Sequence, residues 1–264
     1  MKITIFTVDH LYANLVVKEL VNKFPDEIQA VVVSGVILSN KSLLSSLIKY
    51  FTTSGLYYFL AQSIKLEIYS FLSRVVRDKR SKFYSFKNQL QENKITLFHE
   101  VNVNSTSFMN FLNRQKPDLI VSVFFNQILS PELLNLPKKG VINIHPAYLP
   151  NYKGVSPVFW ALTNNEKYSG VSVHFIDKGI DTGGIIARKK ILISKSDGED
   201  SLYLRLAREG AGLLIRVIND IRKGRVTRIN NSKGSYYSLP TSKAVRKFKK
   251  QGRNFFNLME YIFN

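Results

Sequence analysis

Apolar residues fall into short runs and helical repeats that alternate along the chain. Lys2 to Val8 reads as a buried strand, and Leu11, Leu15, Val16 and Leu20 recur at helical spacing, which predicts a helix over Leu11 to Lys23. Pro25 and Asp26 punctuate, and Gln29 to Ser34 forms a second apolar run. Lys94 to His99 predicts a third strand, Ser107 to Gln115 a helix, and Pro117 to Phe124 a central strand. Gly140 to His145 is a further strand, closed by Pro146 and Pro150, which forbid its continuation. Val158 to Leu162 begins a helix, Val171 to Ile176 alternates as a strand, and Ile185 to Ile193 predicts an antiparallel edge strand. A polar start signal over Ser196 to Ser201 precedes a long amphipathic helix, Leu202 to Lys223, and Phe255 to Phe263 reads as an aromatic helix. Strands alternating with helices predict an α/β fold with a Rossmann-like, mostly parallel sheet.

Residues from about 36 to 86 depart from this rhythm. Ser42 to Val76 is long, apolar and aromatic, and predicts two helices broken near Ser54-Gly55. Arg74, Arg77, Lys79, Arg80 and Lys82 follow as a basic cluster. Two readings stand: helices that cover the sheet and end in a solvated charged tip, or an insertion that shapes an acceptor site or docks on an anionic membrane surface. Lys65 and Glu67 inside the run argue against a membrane span.

The chemistry concentrates in Gly140-Val-Ile-Asn-Ile-His-Pro-Ala-Tyr-Leu-Pro150. Asn143 and His145 stand two residues apart on a strand, so they share a face. They lie at a strand end, where open α/β sheets place their ligands. Asp177-Lys-Gly-Ile-Asp181-Thr-Gly-Gly184 follows another strand and adds a carboxylate in a glycine-rich loop. A histidine can shuttle a proton, an asparagine can hold a carbonyl oxygen as charge builds on it, and an aspartate can orient or deprotonate. Asn143, His145 and Asp181 are therefore the candidate catalytic set for acyl transfer between amines.

Three blocks in fixed order carry a resemblance: Asn143-Ile-His145-Pro, then Leu149-Pro150-x-x-Lys153-Gly154-x-x-Pro157, then Gly170-Val-Ser-Val-His-Phe-Ile-Asp177-x-Gly-Ile-Asp181-Thr-Gly. Together they resemble the folate-dependent formyltransferases, which act on glycinamide ribonucleotide, methionyl-tRNA or sugar nucleotides. The resemblance is densest from about Pro117 to Lys190. It implies 10-formyltetrahydrofolate as co-substrate. It also implies folate contacts from Phe124, Phe125, Asn126 and Ile128 in one loop, and from Asp177, Gly179 and Ile180 in another. On the acceptor side it implies Lys153, Gly154 and His10; Lys153 stands where the family usually has arginine and keeps the charge without the bidentate fork. Phe159-Trp160 is similar to the sugar formyltransferases, and the residues after Ser194 do not resemble the barrel domain of the methionyl-tRNA enzymes. The expected organisation is a catalytic domain over residues 1–193, with a helical insertion at about 36–86. A small, basic, mainly helical C-terminal extension over 194–264 completes it.

Composition narrows the function further. The chain has 264 residues, no cysteine and four histidines. Thiol chemistry is excluded, and no histidine pair has ligand spacing, so no metal is expected. The first turn, Thr7 to Leu11, lacks glycine and is not a dinucleotide loop. No run of about 18 uncharged apolar residues exists, so no membrane span is expected, and the lack of cysteine leaves a cytoplasmic protein as the expectation. The net charge of +19 favours anionic partners, unless it reflects only a lysine-rich genome. The expected acceptor is a nucleotide-linked amino sugar. Alternatives are an initiator aminoacyl-tRNA, water in a formyltetrahydrofolate hydrolase, or no reaction at all in a basic binding protein. A homodimer is expected by analogy with sugar formyltransferases.

Overall fold

The strand–helix alternation builds one twisted sheet. A computed structural model describes residues 1–35, 42–75 and 86–256. From the N-terminus, β1 (Ile3–Thr7) leads through α1 (Leu11–Lys23) to β2 (Ile28–Ser34), then to α2 (Leu43–Ser54) and α3 (Leu56–Val75). After α4 (Lys87–Glu92) come β3 (Thr96–Glu100), α5 (Thr106–Gln115), β4 (Leu119–Val123), α6 (Pro131–Asn135) and β5 (Val141–His145). The second half holds β6 (Lys153–Gly154), α7 (Pro157–Thr163), β7 (Tyr168–Phe175), β8 (Ile185–Leu192), α8 (Glu199–Arg222), β9 (Tyr236–Tyr237) and α9 (Ser242–Lys250).

Seven strands pair in the order β3-β2-β1-β4-β5-β7-β8. The first five are parallel, while β7 runs antiparallel to both β5 and β8. This is the Rossmann-like α/β sheet that the pattern predicted, with β8 at the antiparallel edge. The five residues of β1 and of β4 are all buried, as strands covered on both faces must be. Topology reverses between β1 and β4, so their carboxyl ends open a crevice at that point.

Local signals set the helix limits. Side chains of Ser42, Ser105, Ser130 and Thr241 accept backbone N–H bonds at the starts of α2, α5, α6 and α9, satisfying donors that a helix start leaves open. Gly55, at φ +82°, separates α2 from α3, where the sequence placed the break.

α8 belongs to the same apolar cluster as β1, β4, β5 and β7: Leu204, Ala207, Ala211 and Leu214 pack with Ile142, Ile144, Val171 and Val173. At Gly210 the helix comes so near the sheet that a Cβ would sit 2.5 Å from the Ile144 side chain. That glycine is required by the approach, and it brings α8 directly behind the strand that carries Asn143 and His145.

Three features differ from expectation. The long helix begins at Glu199 rather than Leu202, because Ser201 returns a bond to the Gly198 N–H and extends the start by a turn. Phe255 and Phe256 lie outside any helix, and Phe255 instead packs on Phe248 and Tyr58. A short parallel pair, β6 with β9, joins the Lys153 loop to the C-terminal segment. The rest of the expected aromatic helix, residues 257–264, and Arg77, Lys79, Arg80 and Lys82 lie outside the described residues.

Candidate active site

Strand pairing decides which polar side chains meet. β4 pairs with β5 so that Ser122 faces Asn143, and β5 pairs with β7 so that Asn143 faces His174. The Ser122 hydroxyl donates to Asn143 Oδ1 at 2.8 Å. That fixes the amide, whose Nδ2 lies 3.2 Å from His174 Nε2. His145 follows at the end of β5, 4 % exposed. The loop after β7 then carries Asp181 back over this row.

Asp181 sits between the two imidazoles. One carboxylate oxygen, Oδ2, is 3.5 Å from His145 Nδ1, and the other, Oδ1, is 3.4 Å from His174 Nε2. Oδ2 also accepts the Gly154 N–H at 2.9 Å. The tautomers follow from the remaining bonds. His145 Nε2 is 2.8 Å from the Tyr152 carbonyl and His174 Nδ1 is 2.7 Å from the Phe175 carbonyl. Carbonyls only accept, so those two nitrogens carry hydrogens. Each neutral ring therefore turns its lone pair toward the Asp181 carboxylate. A proton arriving at either nitrogen converts that repulsion into an ion pair.

Electrostatics place the charge. Burial pulls the His145 imidazole below its usual value, against the opposing pull of Asp181 and the Tyr152 carbonyl. The ring is neutral at neutral pH. Burial disfavours the Asp181 carboxylate as well, but His145, His174 and the Gly154 N–H outweigh it and hold this carboxyl well below the usual range. With His145 neutral, the Gly154 N–H is the donor that the Asp181 carboxylate keeps. The resting cluster thus sets the Asp181 carboxylate beside a neutral His145 ring that can take up one proton.

Backbone conformation marks the same place. Phe124, Tyr152, Ser156 and Asp181 all adopt φ between +52° and +61° without being glycine. Each costs about 1–3 kcal/mol, and all four lie in the loops around β4, β5 and β7.

The other expected residues take varied positions. Phe124 ends β4, with its ring 5.9 Å from His10 and 6.4 Å from Tyr203. Phe125 packs inward on Phe6. Asn126 follows it in the same loop, and Ile128 and Ile180 point outward, 55 % and 49 % exposed. Asp177 Oδ1 accepts from the Gly179 N–H at 3.0 Å and from the Thr182 hydroxyl at 2.5 Å, closing the turn that presents Asp181. Lys153 is buried, and its Nζ donates to the Asn231 carbonyl at 2.5 Å. Gly154 contributes its N–H to Asp181. His10 caps α1, its Nδ1 accepting from the Ala13 N–H at 3.2 Å. The structure therefore unites Asn143, His145, Asp181 and Gly154, while the Lys153 ammonium and the His10 Nδ1 are engaged in holding loops.

Three contributors were not singled out from the pattern. His174 lies inside the third motif block and Ser122 inside a strand, neither with a role; only the β4–β5–β7 register reveals them. Asn231 is the third. Buried at 2 % exposure, it donates through Nδ2 to the carbonyls of Asp181 and Gly183. No local motif announces it.

The chain is 41 % identical over 144 residues to a methionyl-tRNA formyltransferase of Methylacidiphilum infernorum, a match covering 54 % of this chain and 45 % of that protein. It is 36 % identical over 148 residues to the bifunctional polymyxin resistance protein ArnA of Wigglesworthia glossinidia brevipalpis, covering 56 % of this chain and 23 % of that one. The chain thus spans about half the length of the first relative, or less than half. In fold it is similar to an N-formyltransferase from Helicobacter canadensis in complex with folinic acid and dTDP-3-aminofucose. That structure superimposes with TM-score 0.61 and 21 % identity, over 98 % of this chain and 82 % of that one. The formyl transferase family model matches residues 73–218. Matched over more than half its length, and with Asn143, His145 and Asp181 inside the matched stretch, this chain belongs to the formyl transferase family.

Proposed function

We propose that the chain transfers a formyl group from 10-formyltetrahydrofolate to a primary amine. The observation that carries this reading is the Asp181 carboxylate set between His145 and His174 beside Asn143. Asn143 Nδ2 offers a donor to the formyl oxygen as negative charge develops on it, and a protonated His145 adds positive charge beside it. The His145–Asp181 pair takes the proton released when the amine nitrogen bonds to the formyl carbon. It returns that proton toward the folate nitrogen as the carbon–nitrogen bond to folate breaks, so proton and group transfer balance within one turnover. The Phe124–Ile128 loop and the Asp177–Asp181 turn suit a flat pterin, since each leaves an isoleucine exposed, Ile128 and Ile180.

The favoured acceptor is a nucleotide-linked amino sugar. Support comes from the roof over the β1–α1 turn. There Tyr69 donates to Asp9 at 3.0 Å, and Lys65 lies 3.3 Å from the Tyr12 hydroxyl, so α3 closes over the crevice and favours a small acceptor over a macromolecule. The sequence relatives and the net charge of +19 support a second reading, the amine of an initiator aminoacyl-tRNA.

Release of tetrahydrofolate tests both, measured without acceptor, with a panel of nucleotide-linked amino sugars, and with charged initiator tRNA. Turnover only with a sugar supports the favoured reading. Turnover only with tRNA replaces it, and steep salt dependence should accompany that result. Release without acceptor assigns a hydrolase, and no release in any arm overturns formyl transfer to these amines.

A further inference from the structure

α2 and α3 are built inside out. In α3, Tyr58, Gln62, Lys65 and Tyr69 share one face, and that face points into the protein. Gln62 donates to Glu199 at 3.2 Å, Lys65 pairs with Asp200 at 2.7 Å, and Tyr58 is buried against Phe159 and Phe255. The opposite face carries Leu60, Ile64 and Phe71 into solvent. α2 does the same, burying Ser46 and Ser54 while exposing Leu44, Ile48 and Phe51. These six side chains are between 46 % and 68 % exposed. On an ordinary surface helix the lysine and serines face water and the leucines face the core. Here the buried Lys65–Asp200 pair pins the polar face inward, so the apolar stripe is held outward by the fold.

The stripe has a basic flank. α9 packs against α2, where the Ser242 hydroxyl donates to the Thr53 carbonyl at 3.3 Å. Lys249 reaches over the exposed Tyr57 ring and lies 2.6 Å from its hydroxyl. Lys243, Arg246, Lys247 and Lys250 are all exposed on the same short helix. Among its nine residues no acid occurs.

We propose that the α2–α3 stripe and the basic face of α9 form one docking surface for an anionic lipid bilayer. Apolar side chains seat at the headgroup–acyl boundary and the cations meet lipid phosphates. The charge selects this occupant. A second copy would set one basic flank against another within a chain of net charge +19. An RNA would meet the cations but leave the stripe in water. No described helix is long and apolar enough to span a membrane, so the contact is peripheral. This inference does not depend on which amine is formylated.

Flotation of the full chain with vesicles tests it, using phosphatidylcholine alone or with about one-third phosphatidylglycerol. The chain should float with the anionic vesicles and not with phosphatidylcholine alone. The double variant Leu60→Glu/Ile64→Glu should weaken binding more than tenfold. Lys247→Glu/Lys250→Glu should weaken it by at least about fivefold per reversed lysine. These positions are exposed, so thermal unfolding should stay unchanged and separates lost docking from lost folding. Absence of flotation overturns the proposal, as does flotation that the Leu60/Ile64 variant leaves intact. A dimer dissociated by Ile64→Glu without vesicle binding assigns the stripe to a second copy. Binding of tRNA without vesicle binding assigns the basic flank to RNA.

Discussion

The side-chain amide of Asn231 reaches back 50 positions to donate to the Asp181 carbonyl at 2.8 Å. The same nitrogen holds Gly183 at 2.9 Å, while the Asn231 carbonyl accepts the buried Lys153 ammonium. One residue thus fastens both loops that converge on the Asp181 carboxylate. Asn231 is a positioning residue in this arrangement, since it touches the backbone of Asp181 and none of the candidate reacting groups. Asn231→Ala should lower kcat by about 30-fold, the equivalent of two hydrogen bonds at about 1 kcal/mol each. KM should change little. A variant whose loss lies wholly in KM, or wholly in stability, would contradict this role.

Replacing the carboxylate is the direct test of the cluster. Asp181→Asn should reduce turnover by several orders of magnitude while leaving the fold intact. A near wild-type rate would sink the assignment.

The pH profile carries the sign of the burial effect. His145 accepts a proton only while neutral, and burial draws its pKa below the ordinary 6.5 despite Asp181. Activity should therefore persist below pH 6.5 and fall only as pH drops through the lowered value. In Asp181→Asn the residual activity should show this acid limb moved further down, because the opposing pull is gone. Measuring kcat from about pH 4 to 9 decides it, and a limb at or above 6.5 contradicts the reading.

Asn143→Ala removes the donor that the proposed mechanism offers to the developing oxyanion. A loss of about 10²–10³ in kcat is expected. Ser122→Ala should have a smaller effect in the same direction, since Ser122 only orients the Asn143 amide. Equal loss in both variants would place the catalytic weight elsewhere.

Glu199, at 3 % exposure, gives a stability test away from the site. Burial raises its carboxyl to about 7, with Asp200 adding to the rise and Lys65 and Gln62 opposing it. Between about pH 4.5 and 7 the folded chain holds a proton that the unfolded chain has released, so stability drains away as pH rises through that window. Glu199→Gln should be more stable than wild type at pH 8, by up to about 3 kcal/mol, with little gain at pH 4. Urea unfolding at both pH values measures this, and equal stability at pH 8 would refute it.

Legibility followed the range of the interactions. Strand and helix placements were readable because apolar spacing is local; even the break at Gly55 between α2 and α3 stood out. Asn143, His145 and Asp181 were readable because one short stretch and one glycine-rich turn carry them. His174 was visible as a strand residue, but its place opposite Asn143 depends on an antiparallel register that no local pattern fixes. Lys153 stood on the acceptor side of the resemblance; the carbonyl that occupies it belongs to Asn231, 78 positions later. The reversed faces of α2 and α3 were hidden for the same reason, since Lys65 turns inward only because Asp200 waits there, 135 positions on.

Synthesis runs from the N-terminal side, so the sheet and all three of Asn143, His145 and Asp181 emerge before Asn231 does. A nascent chain halted ahead of that residue already contains every candidate reactive group, yet its Asp181 turn has nothing to clasp it. Completion of the 229–237 segment then supplies the latch that clasps the Asp181 turn to the finished sheet.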